Sequence, residues 1–328
     1  MTKQLRDTDF AYGVARIRAL ENTLLSPAET EQLIAAPDLA AALRILADKG
    51  WQASSGEAGI TGMLEAESVK TWQLMAESVP DIGIFNALIV ANDFHNLKAA
   101  LKAVLSGLKP SDYYIEPALI PPQSLGAAVE KMDFGLLPDY MRQPALDAYD
   151  AIVRLENGRM AEIFLDTAAL GTAVDFAENS GSVLLAEITR LSAAASNVKT
   201  AVRCASIGRE EEFILGALCR CGLLDSAGLA ASALSGEEAL LSFVASSPLG
   251  ETAAEALKSG LAAFEKWCDE AVAGRVARAK YTPLGPDPVV AFYIYRDAEI
   301  KNARIILNAK INGLPSQMIR KRVRQIYV

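Results

Sequence analysis

One short pattern occurs three times and constrains this chain more than any other feature. Asn96-Leu97-Lys98-Ala-Ala-Leu101-Lys102 is followed by Asn197-Val198-Lys199-Thr-Ala-Val202-Arg203, and then by Asn302-Ala303-Arg304-Ile-Ile-Leu307-Asn308. Each copy reads Asn, apolar, basic, two free positions, apolar, polar. The spacings are 101 and 105 residues, close to one third of the 328-residue chain. In the third copy Asn308 replaces the second basic residue. The two apolar members stand four apart and share one helix face. The Asn lies on one edge of that stripe and the cation on the other. A length of 328 residues also exceeds the ~250–300 at which a single core stops growing. A threefold internal repeat of helical sub-domains accounts for both facts. The expected repeats are 1–122, 123–225 and 226–328, with the terminal helices free to pack across them.

The local signals are helical. Ser26-Pro27-Ala28-Glu29 reads as N-cap, N1 proline and capping-box glutamate. Ser235-Gly236-Glu237-Glu238 reads as a second capping box. Gly50 and Gly107 suit positions just past helix ends. Helices are expected over 9–25, 27–35, 38–49, 61–78, 84–106, 124–132, 144–177, 181–205, 209–221, 236–246, 249–280, 288–311 and 316–326. The segment 289–295 has strand-like composition but helical flanks, and reads as helix entry. Proline- and glycine-rich stretches at 109–122, 138–144 and 282–288 separate the helical blocks.

Composition narrows the function. Apolar residues make up 51% of the chain and charged residues 22%, which excludes disorder. A net charge of −8 argues against nucleic acid as a partner. The charge is uneven: from Arg296 onward eight basic residues (Arg296, Lys301, Arg304, Lys310, Arg320, Lys321, Arg322, Arg324) face only Asp297 and Glu299. Such a basic end on an acidic body suggests a docking surface. No apolar run approaches the ~18 residues of a membrane span, and the polar start shows no signal peptide.

Chemistry-bearing motifs are missing. The chain has neither a P-loop nor a GxGxxG after a strand nor an HExxH. Its one histidine, His95, cannot build a polyhistidine metal site and is expected to be structural or on the surface. Cys204, Cys219, Cys221 and Cys268 show no CxxC spacing and fit buried, reduced thiols. Acid pairs at 210–212 and 237–238 suit helix starts. The expectation is no catalytic residue, no cofactor and no metal: an interaction or structural protein.

Three segments together resemble a known family. Phe10-Ala-Tyr12-Gly-Val-Ala-Arg16-Ile-Arg18-Ala-Leu-Glu21-Asn-Thr-Leu24-Leu25-Ser26 resembles the opening of the C-subunit family of V/A-type ATPases (ATP synthases), whose eukaryotic relative is the V-ATPase d subunit. Asn92-Asp93-Phe94-His95-Asn96-Leu97-Lys98 resembles its D-x-x-N-L-K segment. Glu299-Ile-Lys301-Asn302-Ala-Arg304-Ile-Ile, then Lys310-Ile-Asn-Gly313-Leu-Pro, resembles its closing motif, with Ala303 where leucine is usual. The resemblance implies an all-α funnel of three similar sub-domains around a pseudo-threefold axis. It implies a non-catalytic rotor component of the central stalk, a socket between the D and F shaft proteins and the membrane c-ring. Such a socket transmits torque from the cytoplasmic face without inserting into the membrane.

Two sets of residues are candidates for partner contact. The first is the border of the repeats: Asn96, Lys98, Lys102, Asn197, Lys199, Arg203, Asn302 and Arg304. These face the axis, or else form hydrogen bonds between sub-domains. The second is Arg320, Lys321, Arg322 and Arg324, at a partner surface or on a solvated helix face. The rival functional readings are a helical scaffold or adaptor unrelated to ATPases, against which a period near 100 residues argues, and a helical enzyme built around His95.

Overall fold

The computed structural model describes residues 5–52, 57–106, 110–154 and 157–323, and every regular element among them is a helix. In order these are α1 (Ala11–Leu20), α2 (Pro27–Ala35), α3 (Leu39–Asp48), α4 (Glu57–Ser78), α5 (Asn86–Ser106), α6 (Pro122–Glu130), α7 (Asp139–Val153), α8 (Gly158–Asn179), α9 (Val183–Ser206), α10 (Glu211–Gly216), α11 (Ser226–Ser235), α12 (Glu237–Ser246), α13 (Glu251–Lys258), α14 (Leu261–Arg278), α15 (Asp287–Ile311) and α16 (Ser316–Arg320). The all-α class is as the sequence predicts. Three times in this order two long helices follow one another with little between them: α4 and α5, α8 and α9, α14 and α15.

Contacts divide the chain into two compact units, one of residues 1–82 with 269–328, the other of residues 83–268. The first unit joins the two ends of the chain. Its core sets Leu33, Leu46 and Leu64 against Ile300, Ile306 and Leu307 of α15. Local chemistry places the pieces. Ser26 accepts the Glu29 N–H at 3.2 Å while the Glu29 carboxylate takes the Ser26 N–H at 2.8 Å, so the expected capping box starts α2. At the other end of α2, Lys310 donates to the carbonyls of Ile34 (2.7 Å) and Ala36, and Ser316 to Ile34. These bonds satisfy carbonyls that a helix end leaves open. Asp38 caps α3 through the Ala41 N–H at 2.8 Å. Gly50, at φ +85°, ends it: the N–H groups of Gly50 and Trp51 return to Ala47 and Leu46, which buries Trp51.

Helix α1 crosses the end of α4 at Gly13. A Cβ there would sit 1.9 Å from the Ser78 carbonyl oxygen, so only glycine permits this approach. Gly13→Ala is expected to lose about 1–3 kcal/mol to overpacking, against a helix-propensity gain of at most ~1 kcal/mol. A lowered urea midpoint at unchanged slope, followed by Trp72 fluorescence, checks this; an unchanged midpoint would mean that α1 does not seat on α4.

In the second unit, Val90, Phe94, Leu97 and Leu101 form the apolar stripe of α5 and pack on Leu125, Met141, Ala145 and Leu165. The expected helix 144–177 is in fact two. Asn157 accepts the Met160 N–H at 3.0 Å and starts α8 afresh. α7 begins earlier, at Asp139, and runs through Pro144 because Met141 and Ala145 on either side are fully buried. The expected helix 249–280 breaks at Gly260 (φ +111°). The second capping box is also corrected. Ser235 ends α11 and its hydroxyl bonds back to the Ala231 carbonyl, and Gly236 starts α12 with no side-chain cap. Gly107 lies outside the described residues. The segment 289–295 is helical, as read from its flanks.

Candidate functional site

The first two repeat asparagines do the same thing. Asn96, fully buried on α5, donates to the Ile115 carbonyl at 3.0 Å and accepts the Ile115 N–H at 2.8 Å. Asn197, buried on α9, donates to the Cys219 carbonyl at 2.7 Å and accepts the Cys219 N–H at 3.1 Å. Each amide thus satisfies both backbone groups of one residue, 19 or 22 positions further on. A buried backbone pair outside a helix needs such a partner. Asn302 is half-buried on α15.

Around Asn96 the clasp extends into a strap. His95 Nε2 lies 3.1 Å from the Tyr113 carbonyl oxygen, and Asn92 donates to the Pro117 carbonyl at 2.8 Å. Asp93 accepts the N–H groups of Leu119 (2.8 Å) and Ile120 (3.2 Å) and the Tyr140 hydroxyl at 3.2 Å. Residues 113, 115, 117 and 119 are therefore gripped in turn, the period of an extended chain. Burial pushes the Asp93 carboxyl up, while the two N–H bonds hold it down. The equivalent position three residues before Asn302 is Glu299, which accepts the Leu25 N–H; before Asn197 it is Ala194, buried against its neighbours.

The repeat cations bridge long helices. Lys98 meets Asp166 at 2.5 Å and Lys102 meets Glu162 at 2.5 Å, joining α5 to α8. Lys199 meets Glu265 at 2.9 Å, joining α9 to α14. Arg203 and Arg304 are exposed. In the terminal unit the corresponding tie is buried. Arg296 of α15 pairs with both Glu67 of α4 and Glu299, with its guanidinium 5.0 Å over the Trp51 ring. Burial raises the Glu299 carboxyl, Arg296 lowers it and Glu67 raises it further.

Much of the basic C-terminal charge is used inside the unit. Arg296 and Lys310 are engaged as above, Lys301 pairs with Asp297 at 2.6 Å, and Arg320 pairs with Glu31, with Nε at 2.9 and 3.2 Å from its two oxygens. The last pair is about half exposed, so it contributes little. Lys321 and Arg322 are exposed, and Arg324 lies outside the described residues. Three of the four cysteines are buried; burial pushes the Cys219 thiol up to about 12. His95 is exposed. Among the described residues no three His, Cys, Asp or Glu side chains gather as a metal site, and no helix is long and apolar enough to cross a membrane.

Sequence reasoning misses the acidic halves of these ties: Asp166, Glu162, Glu265, Glu31, Glu67 and Glu299. Only the acid three residues before the Asn, at 93 and 299, leaves a signal beside the repeat itself.

Long-helix pairs, fastened by buried amides and cross-helix ion pairs, define an all-α protein. More particularly, the chain belongs to the ATP synthase (C/AC39) subunit family, whose model matches residues 13–322. It is 22% identical over 317 residues to the C subunit of the V-type sodium ATPase of Enterococcus hirae, covering 95% of this chain and 97% of that one. It is 23% identical over 330 residues to the C subunit of the A-type ATP synthase of a Desulfurococcus species, covering 96% of this chain and 90% of the relative.

Proposed function

We propose that this chain is a non-catalytic rotor component of a V/A-type rotary ATPase, a socket that joins the central shaft to the membrane c-ring. The observation that carries this reading is the family match across residues 13–322, supported by the repeat it encloses. The shaft partners are the D and F proteins of the complex. Torque passes through the socket during ATP synthesis or hydrolysis coupled to proton or sodium transport, and the chain has no reaction of its own. It works on the cytoplasmic side as a peripheral member of the complex, and the ring supplies the membrane span.

Three helical sub-domains, near 1–122, 123–225 and 226–328, form a funnel about a pseudo-threefold axis. Packed helices suit this task because a close-packed interior transmits strain without yielding. The cations Arg203, Arg304, Lys321 and Arg322 present charge to partners directly, with Arg324 continuing that run in sequence. Lys98, Lys102, Lys199 and Arg320 present theirs partly neutralised. Asn96, Asn197 and Asn302 act from behind by holding the segments that carry the contact surface. Charged contacts of this kind favour specific and reversible docking.

Reconstitution tests the reading. With D, F, the catalytic head and the ring present, leaving out this chain is expected to abolish attachment of the head to the ring. Charge reversal at Lys321 and Arg322 should weaken attachment, and the difference from the parent should shrink as salt is raised. Full attachment without the chain would overturn the proposal.

A further inference from the structure

A cavity of about 170 Å³ opens in the first unit between the end of α1 and the first turns of α15. It has room for roughly five waters. Phe292 and Tyr295, both buried, form its apolar wall, and Arg18, Glu21, Asn22 and Lys280 bring polar groups to it. Arg18 pairs with Glu21 and donates to the Thr282 carbonyl at 3.0 Å. Lys280 and Asn22 are exposed, and neither side chain has a hydrogen-bond or ion-pair partner among the described residues. Two cations thus face one acid, which makes the cavity locally positive on a chain of net charge −8.

The loop beside this cavity is held stiff yet presents an aromatic ring. The Thr282 N–H returns to the Ala279 carbonyl at 3.0 Å, Arg18 holds the Thr282 carbonyl, and Pro283 and Pro286 each fix their φ. Ala279, Gly285 and Pro286 are buried. Tyr281, next to Lys280, is nevertheless 85% exposed, and Leu284 is exposed as well. Such a ring adds almost nothing to the fold. On a pre-ordered loop it loses little conformational freedom when covered, and a tyrosine beside a charged pocket is suited to anchor an interface. We propose that the cavity and Tyr281 together form a docking site for an acidic segment of a partner protein. An Asp or Glu carboxylate of the partner enters the cavity and takes the Lys280 ammonium and the Asn22 amide, while its apolar neighbours cover Tyr281 and Leu284. This inference rests on the reading above, in that the partner is another member of the rotary assembly. Charge does the selecting: a basic segment would be repelled by Arg18 and Lys280, and a neutral one would cover the Lys280 ammonium without pairing it.

Carbodiimide coupling in the reconstituted assembly tests this, because it joins an amine to a carboxylate only where the two touch. Lys280 is expected to couple to an Asp or Glu of another subunit. Hydroxyl-radical oxidation of Tyr281 should fall on the order of tenfold from its rate in the free chain, as for a side chain at the core of an interface. Lys280→Glu and Tyr281→Ala should each weaken attachment of the chain on the order of tenfold or more. The melting temperature of the free chain should not change in either variant, since both side chains are exposed. A chain that joins the assembly with Lys280 uncoupled and Tyr281 as reactive as before would overturn this inference and leave the proposed function standing. Protection of Tyr281 without coupling at Lys280 would assign the face to lipid or an uncharged surface and overturn it too, as would coupling only to a second copy of this chain. A parent chain that fails to join the assembly would overturn both readings.

Discussion

Replacing Arg296 by methionine is expected to cost about 3–5 kcal/mol of unfolding free energy, because it leaves two carboxylates buried without their cation. Glu67 is 3% exposed and Glu299 7%. Arg296 is their shared partner, and it also covers the Trp51 ring. Lys70 reaches Glu67 only at 3.3 Å from a largely exposed position and cannot replace it. The loss should depend on pH with a definite sign. The Glu299 carboxyl is already raised above its ordinary value of 4.5, with burial as the main cause and Arg296 opposing. A raised carboxyl pKa in the folded state favours folding below the ordinary value, and that contribution fades as pH rises through the folded value. Without Arg296 the opposing influence goes and the folded value climbs further. The deficit of Arg296→Met should therefore be largest near neutral pH and shrink as pH falls toward the ordinary carboxylate range, about 4–5. Urea melts across this range, read by Trp51 emission, check it. The triple variant Arg296→Met, Glu67→Gln, Glu299→Gln should recover most of the stability, since a neutral buried cluster lacks the unpaired charges. A pH-independent deficit, or no recovery in the triple variant, would show that packing rather than charge holds this site.

How much of this can be read from the residues follows the range of the interactions. Short-range chemistry is visible: the Ser26–Glu29 box, the glycine after α3, the helical entry at 289–295. The errors at helix breaks come from weak signals set in helix-favouring stretches. Asn157-Gly158 and Ser259-Gly260 mark real breaks, yet each sits between long runs of good helix formers that outweigh it in a window. Helix α11 escapes a reading by periodicity because its Ala, Ser and Gly positions show little of it. Asp225, which caps it through the Gly228 N–H at 2.7 Å, is the available clue. At the site, the recurrence of Asn and its cation is legible because it lies within seven residues. The partners are not. Ile115 and Cys219 are clasped through backbone groups, which no residue type encodes. Arg296 and Glu67 stand 229 positions apart and meet only because the two ends of the chain share one unit.

The clasps at Asn96 and Asn197 should differ in energy although their geometry is the same. Asn197→Ala strips the Cys219 N–H and carbonyl of their partners at a residue 4% exposed. Each buried group left unsatisfied costs about 1–3 kcal/mol, so a loss of about 2–5 kcal/mol is expected. Asn96→Ala removes the same two bonds from Ile115, which is 40% exposed, so water can replace part of what is lost. Its effect should be roughly half as large or less. Aspartate is no rescue at position 197: it keeps an acceptor for the N–H but turns a charged oxygen toward the Cys219 carbonyl. The Cys219 thiol gives a local readout that overall stability does not. Its Sγ lies 3.4 Å from the Asn197 side-chain oxygen, and burial holds its pKa at about 12, so the native thiol resists a disulfide reagent. In Asn197→Ala the released strap should expose it and the labelling rate should rise well before global unfolding, while Asn96→Ala leaves that rate unchanged. Equal losses from the two alanine variants, with Cys219 still protected in both, would mean that the asparagines follow the straps rather than hold them.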